Sequence, residues 1–187
     1  MPSIILLDTN AYLRLADTLH PLLNNSFCTE GVILFLIPEF QTEFDRSSRL
    51  KNKFGWVNQP EYVDNRKTNI KFHFHQRKQI ELTYTYLWEH NISEGIGASP
   101  VDVRALAYGA VLNVPVITDD SQMRELADTF SIDTWGILKI LKLMLECSRI
   151  DLTEIKALAD YLEYNNDLPY PNFKKDLKKE FGDLWAS

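Results

Sequence analysis

The chain has 187 residues, 45% of them hydrophobic and 25% charged, with a formal net charge of −6. That length suits one domain, or one domain with an elaboration. The apolar fraction excludes a disordered chain, and 7 Gly with 8 Pro are too few for a fibrous or low-complexity one. No apolar run approaches the roughly 20 residues that cross a bilayer. No basic segment precedes the apolar run near the N-terminus, as a signal peptide would require, so a cytoplasmic protein is expected. Cys28 and Cys147 are then expected as reduced core thiols. Charge is uneven. Residues 45–78 hold nine Lys/Arg against three acids, a local +6, which leaves −12 on the rest. A basic segment in an acidic protein is either a polyanion contact beside an acidic pocket or a solvated insertion.

In chain order, residues 3–7 form a nearly continuous apolar run, which suits a strand buried on both faces of a parallel sheet. A helix follows over 9–17. Residues 32–37 read as a second buried strand, and Pro38 opens a helix to about 49. Gly55, Pro60 and several Asn residues make 54–69 a long loop or insertion. The alternation of Ile70, Phe72 and Phe74 with Lys71, His73 and His75 predicts a short strand or edge. Residues 76–90 read as a helix with Ile80, Tyr84, Leu87 and Trp88 on one side.

Ser99-Pro100-Val101-Asp102 is a helix start, with a Ser cap, Pro at the first position and an acid three residues after the cap. That helix runs to about 113. Residues 114–118 are a third strand, 121–128 a helix, 131–134 a fourth strand and 136–147 an apolar helix. Amphipathic helices over 153–164 and 172–185 close the chain. Strands alternating with helices predict an α/β fold, a three-layer α/β/α arrangement with a mainly parallel sheet and a C-terminal helical extension. The expected organisation is a domain over 1–150 with an insertion at about 54–75, and an extension over 151–187 packed on it.

In open α/β sheets, ligands sit outside the carboxyl ends of the strands. Asp8 directly follows the first strand, and Asp119 and Asp120 directly follow the third. Asp102 lies in the first turn of the helix before that third strand. Glu39 and Glu43, four apart on one helix, share a face. Two carboxylates at ~4 Å repel by about 1 kcal/mol in water and about 4 kcal/mol at an effective dielectric of ~20, so a cluster needs protons or cations to offset it. Oxygen-rich sites with open positions suit Mg²⁺ or Mn²⁺. Each acid also has a structural alternative. Asp8 could cap the first helix, Asp102 fits a capping box, Asp119 and Asp120 could shape a turn, and Glu43 could be solvated.

The joint spacing of these acids carries a resemblance. Ile4-Ile5-Leu6-Leu7-Asp8-Thr9-Asn10 resembles the opening motif of PIN-domain nucleases, a strand ending in Asp-Thr-Asn. Ile37-Pro38-Glu39-Phe40-Gln41-Thr42-Glu43-Phe44 is similar to the second motif, with Glu43 as the matching acid. Ser99-Pro100-Val101-Asp102-Val103-Arg104-Ala105-Leu106-Ala107 resembles the third, and Val116-Ile117-Thr118-Asp119-Asp120 the fourth.

The resemblance implies a metal-dependent endoribonuclease. Asp8, Glu43, Asp102 and Asp120 would hold one or two Mg²⁺ or Mn²⁺ ions, with Asp119 as an extra ligand. Thr118 and Asn10 would support them, and a metal-bound water would attack an RNA phosphodiester. Many bacterial members look like toxins of toxin–antitoxin pairs, which implies an RNA substrate, a small antitoxin partner and a possible homodimer, with no membrane role. The reading of a different class is a non-catalytic or weakly catalytic PIN-like module that binds nucleic acid or protein. His20, His73, His75 and His90 lack the spacing of a zinc finger. Gly95-Ile96-Gly97 lacks the third Gly of a dinucleotide loop.

Overall fold

The computed structural model describes residues 3–68 and 70–182. β1 (Ile4–Leu7) pairs on one side with β2 (Ile33–Leu36) and on the other with β3 (Val116–Ile117), and β3 pairs with β4 (Thr134–Trp135). All pairs are parallel and the order is β2-β1-β3-β4. Leu7 lies opposite both Leu36 and Ile117 in this register. A strand with partners at both edges and helices over both faces has no side facing water, which is why 4–7 is apolar without alternation. Ile5 and Leu7 join one core, with Tyr12, Phe40, Leu141 and Leu158. Leu6 points into the other, with Leu87, Leu106 and Met123.

The result is a three-layer α/β/α fold. The first core takes α1 (Thr9–Leu15), α2 (Glu39–Arg46), α3 (Ser48–Lys53), α8 (Ile137–Glu146), α9 (Leu152–Tyr164) and α10 (Phe173–Phe181). The second takes α5 (Phe74–Ser93), α6 (Pro100–Leu112) and α7 (Ser121–Thr129). Ile155, Leu162, Phe173 and Leu177 of α9 and α10 are buried in the same core cluster as β1 and α1. The reach of the last helix to residue 185, with Trp185, lies outside the described residues.

Several expectations need correction. The helix after Pro38 breaks at Ser47, whose extended backbone and side chain, accepting from the Leu50 N–H at 3.2 Å, restart it as α3. Residues 54–69 are not a loose loop. They hold a 3-10 turn over Gly55–Asn58 and α4 (Pro60–Arg66), with Pro60 at a first-turn position. Val57 is fully buried, and the Asn65 amide bonds both the N–H and the carbonyl of Leu23 at 3.1 and 2.8 Å. Residues 70–75 form no strand. Ile70 and Phe72 pack against the second core, but Phe74 is 85% exposed and begins α5, whose start is fixed by the Gln76 side chain accepting from the His73 N–H at 3.0 Å. The fourth strand falls at 134–135, later than 131–134. Cys28 and Cys147 are not two free thiols: a disulfide joins them across 119 residues, tying the turn before β2 to the end of α8.

Gly109 sets the spacing between α6 and β3. A Cβ there would lie 2.5 Å from Val116 Cγ2 and 3.2 Å from the Val114 carbonyl. Alanine gains roughly 1 kcal/mol of helix propensity over glycine, but overpacking a buried contact costs about 1–3 kcal/mol. Gly109→Ala is therefore expected to lower the thermal midpoint by a few degrees. A midpoint at or above the wild-type value, read by circular dichroism, would contradict this close approach.

Candidate functional site: an acidic rim at the sheet switch point

The strand order turns about β1, with β2 on one side and β3 on the other, so a crevice opens at the carboxyl ends of β1 and β3. Asp8 sits there, 2% exposed, held to the neighbouring strand by its N–H donating to the Ile117 carbonyl at 3.1 Å. Its Oδ1 caps α1 by accepting from the Ala11 N–H at 2.5 Å. Burial pushes the Asp8 carboxyl up to about 7. Hydrogen bonds from the Thr118 hydroxyl and the Ala11 N–H oppose that rise, the Asp102 charge adds to it, and Arg14 offsets part of it.

Asp102 closes a capping box. Its Oδ2 accepts from the Ser99 N–H at 3.1 Å while Ser99 Oγ accepts from the Asp102 N–H at 3.2 Å. Burial again raises its carboxyl, with hydrogen bonds from Ser99 opposing, and the charges of Asp120 and Glu43 raise it further. Asp102 is thus coupled electrostatically to Asp8, Glu43 and Asp120. The fold brings all four predicted acids to one rim.

Their oxygens face local donors. Asp120 caps α7, accepting from the Met123 N–H at 2.8 Å, while its own N–H donates to Thr118 Oγ1 at 3.1 Å. Glu43 Oε2 accepts from Thr9 Oγ1 at 2.5 Å. Asp119, with a side chain 2% exposed, pairs with Arg124 Nη2 at 2.8 Å. Its second oxygen accepts from the Ile137 N–H at 3.0 Å, heading α8 where Gly136 has no side chain to do so. Arg124 also donates from Nε and Nη2 to the Thr118 carbonyl, at 3.0 and 2.8 Å. Gly136 leaves room for that pair, since a Cβ there would lie 2.7 Å from both Arg124 Nη2 and Asp119 Oδ1.

This arrangement corrects the metal expectation. Among the described residues, no group of three or more His, Cys, Asp or Glu side chains is placed to hold a metal ion. The physical reason is visible in the bonds above. Asp8, Asp102 and Asp120 are turned onto helix N-termini, Asp119 onto Arg124 and α8, and Glu43 onto Thr9. The Mg²⁺ or Mn²⁺ cofactor, the metal-dependent ribonuclease and the toxin reading built on it are withdrawn. The structural alternatives hold for Asp8 as a helix cap and Asp102 in a capping box, while Asp120 caps α7 rather than shaping a turn, Asp119 binds Arg124 and the α8 start, and Glu43 is bonded to Thr9 rather than solvated.

Two grooves flank the rim. One, of about 620 Å³, lies between α2, α5 and α6 and is lined by Glu43, Arg46, Tyr84, Ser99 and Arg104. In it the Arg104 guanidinium sits 3.9 Å from the centre of the Tyr84 ring. The other, of about 390 Å³, is lined by Asn10, Arg14, Asp119, Asp120 and Tyr170. Asn10 is exposed on that groove wall rather than bonded to Asp8.

Thr9, Arg14 and Arg124 act at the rim without having been singled out in the sequence. Arg124, one turn into α7 after its Asp120 cap, had the signal of a cation near two acids, though its partner is Asp119, five residues before it. Thr9 and Arg14 had none beyond proximity to Asp8. The chain matches no described protein family, no curated protein and no solved structure. The three-layer fold with its parallel sheet agrees with PIN-like architecture in the general sense, which is a statement of fold and not of family.

Proposed function

We propose that this chain is a PIN-like module that binds single-stranded nucleic acid without cutting it, with residues 151–187 as a helical extension of the same domain. The supporting observation is a run of exposed basic side chains beside an aromatic groove. Of the nine Lys/Arg in 45–78, Lys53 and Lys67 are in ion pairs, with Asp167 and Asp64, and Arg66 is held by the Tyr12 hydroxyl and Gln41. Arg46, Arg49, Lys51, Lys71, Arg77 and Lys78 remain exposed. Arg46 lines the groove that holds Tyr84, and Arg77 lines the adjoining depression on the same flank of α5. Cations that neutralise phosphates beside a groove holding an aromatic ring are parts such binding uses, and Arg104, paired with Glu81 and Glu39, lies over that ring and fixes its position. Protonation of Asp8 near neutral pH reduces the repulsion that the acidic rim would exert on a phosphate backbone.

Fluorescence anisotropy with a labelled single-stranded RNA in EDTA, and again in millimolar Mg²⁺ with the RNA length read on a gel, tests this. Expected is saturable binding that weakens as salt rises, leaves the RNA at full length, and falls about tenfold in Arg46→Glu. Absence of binding at low salt, or an Arg46→Glu variant that binds like the wild type, would contradict it.

A further inference from the structure

Among the described residues, six large hydrophobic side chains stand out as exposed, and four of them sit on α5: Phe74 at 85%, Leu82 at 62%, Tyr86 at 64% and Ile92 at 62%. The opposite face of the same helix carries Ile80 and Leu87 into the second core. α5 is therefore apolar on two sides, one of them without a partner among the described residues apart from the Tyr86 edge contact with Phe130 at 5.4 Å. At about 3.6 residues per turn, Phe74 and Ile92 project in the same direction, and Leu82 and Tyr86 lie roughly a quarter to a third of a turn round. Lys78 and Glu89 fall between them on that face, both exposed and outside the described ion pairs.

We infer that this face docks a second copy of the same chain, with the two α5 helices antiparallel about a two-fold axis. The argument for a second copy is the self-complementarity of the pattern. An antiparallel pair centred at residue 83 or 84 sets Phe74 against the partner's Ile92, Lys78 against the partner's Glu89, and Leu82 against the partner's Tyr86. The three pairings centre at about 83, 83.5 and 84, within about one residue, roughly 1.5 Å of helix rise, of a common axis, and the two-fold makes each of them twice. A parallel pair would set Lys78 against Lys78 and Glu89 against Glu89, so charge selects the antiparallel arrangement. A single helix face is a small interface beside the ~800 Å² per partner of stable complexes, so the dimer is reversible and concentration-dependent. The nucleic-acid groove lies on another flank of α5 and Lys78 alone is common to both, so sedimentation without RNA, with Leu82→Glu as the variant, tests this inference apart from the proposed function.

Sedimentation velocity over a concentration series, from a few micromolar to several hundred micromolar, tests it. The wild type is expected to pass from monomer to dimer within that range. Leu82→Glu, a change at an exposed position, is expected to stay monomeric with an unaltered circular dichroism spectrum. Lys78→Glu alone and Glu89→Lys alone are each expected to weaken the dimer about tenfold or more, and the double reversal to restore it to within about threefold of the wild type. A wild type that stays monomeric throughout would overturn the inference and assign the face to a different partner. A dimer that survives Leu82→Glu, or one that the double reversal does not restore, would overturn it as well.

Discussion

Asp8→Asn is expected to stabilise the protein at pH 8 and to flatten its pH dependence. Burial raises the Asp8 carboxyl from 3.8 to about 7 in the folded chain. Between those values the folded state holds a proton that the unfolded state has released. Asp8 therefore contributes stability that is fully present below pH 3.8 and is lost as pH rises through about 7. A shift of about three units corresponds to roughly 4 kcal/mol, at about 1.4 kcal/mol per unit. Asparagine cannot ionise, and its carbonyl still accepts from the Ala11 N–H. In urea unfolding at a series of pH values, the difference between variant and wild type should grow from near zero at pH 4 toward that size at pH 8. Asp102, raised in the same direction, adds to the wild-type slope in the same sense. Two curves that run parallel across the range would contradict the burial of a protonated Asp8.

Asp119→Ala is expected to be the most destabilising alanine substitution among Asp119, Asp120 and Glu43. Its carboxylate serves two elements: it neutralises Arg124 and supplies the first hydrogen bond of α8. Removing it leaves the buried Ile137 N–H without an acceptor and α8 without a cap, while Arg124 keeps the Thr118 carbonyl. The lost cap and the unsatisfied buried donor are one and the same N–H, so about 1–3 kcal/mol is expected from it, with the Arg124 pairing lost besides. Asp120→Ala loses one cap on α7, with about 1 kcal/mol expected. Glu43→Ala frees only the Thr9 hydroxyl. Equilibrium denaturation of the three variants checks the ranking. A smaller loss for Asp119→Ala than for Asp120→Ala would contradict it. A metal reading gives the opposite order of importance, since it treats Asp119 as an accessory ligand.

Much of the sheet and the placing of the rim are legible in the residues because each rests on a local signal. A continuous apolar run marks a central parallel strand, and an acid directly after it lands at the strand end. Ser99, Pro100 and Asp102 announce the start of α6, and Asn113, in the left-handed conformation, ends it. What the sequence hides is which of two uses an acid has. Asp8 at a strand end and Asp8 as a helix cap leave the same letters, and only the 2.5 Å bond to the Ala11 N–H separates them. The hydrogen bond between Thr9 and Glu43 spans 34 residues and leaves no local mark. Alternation over 70–75 misleads because Ile70 and Phe72 are half-buried by tertiary packing while Phe74 faces solvent. In α4, the Gln59-Pro60-Glu61 start is a fair helix signal that the surrounding Gly and Asn residues mask. The Cys28–Cys147 bond spans 119 residues, and no spacing rule reaches that far.

The most direct test of the rim is the titration of Asp8 itself, followed through its carboxyl carbon by NMR, with and without millimolar Mg²⁺. A rim whose charges are offset by a proton and by helix N-termini gives a midpoint at about 7 that is the same in both titrations. An Asp8 that stays ionised down to the ordinary carboxylate range, or whose midpoint drops by a unit or more when Mg²⁺ is added, would contradict it.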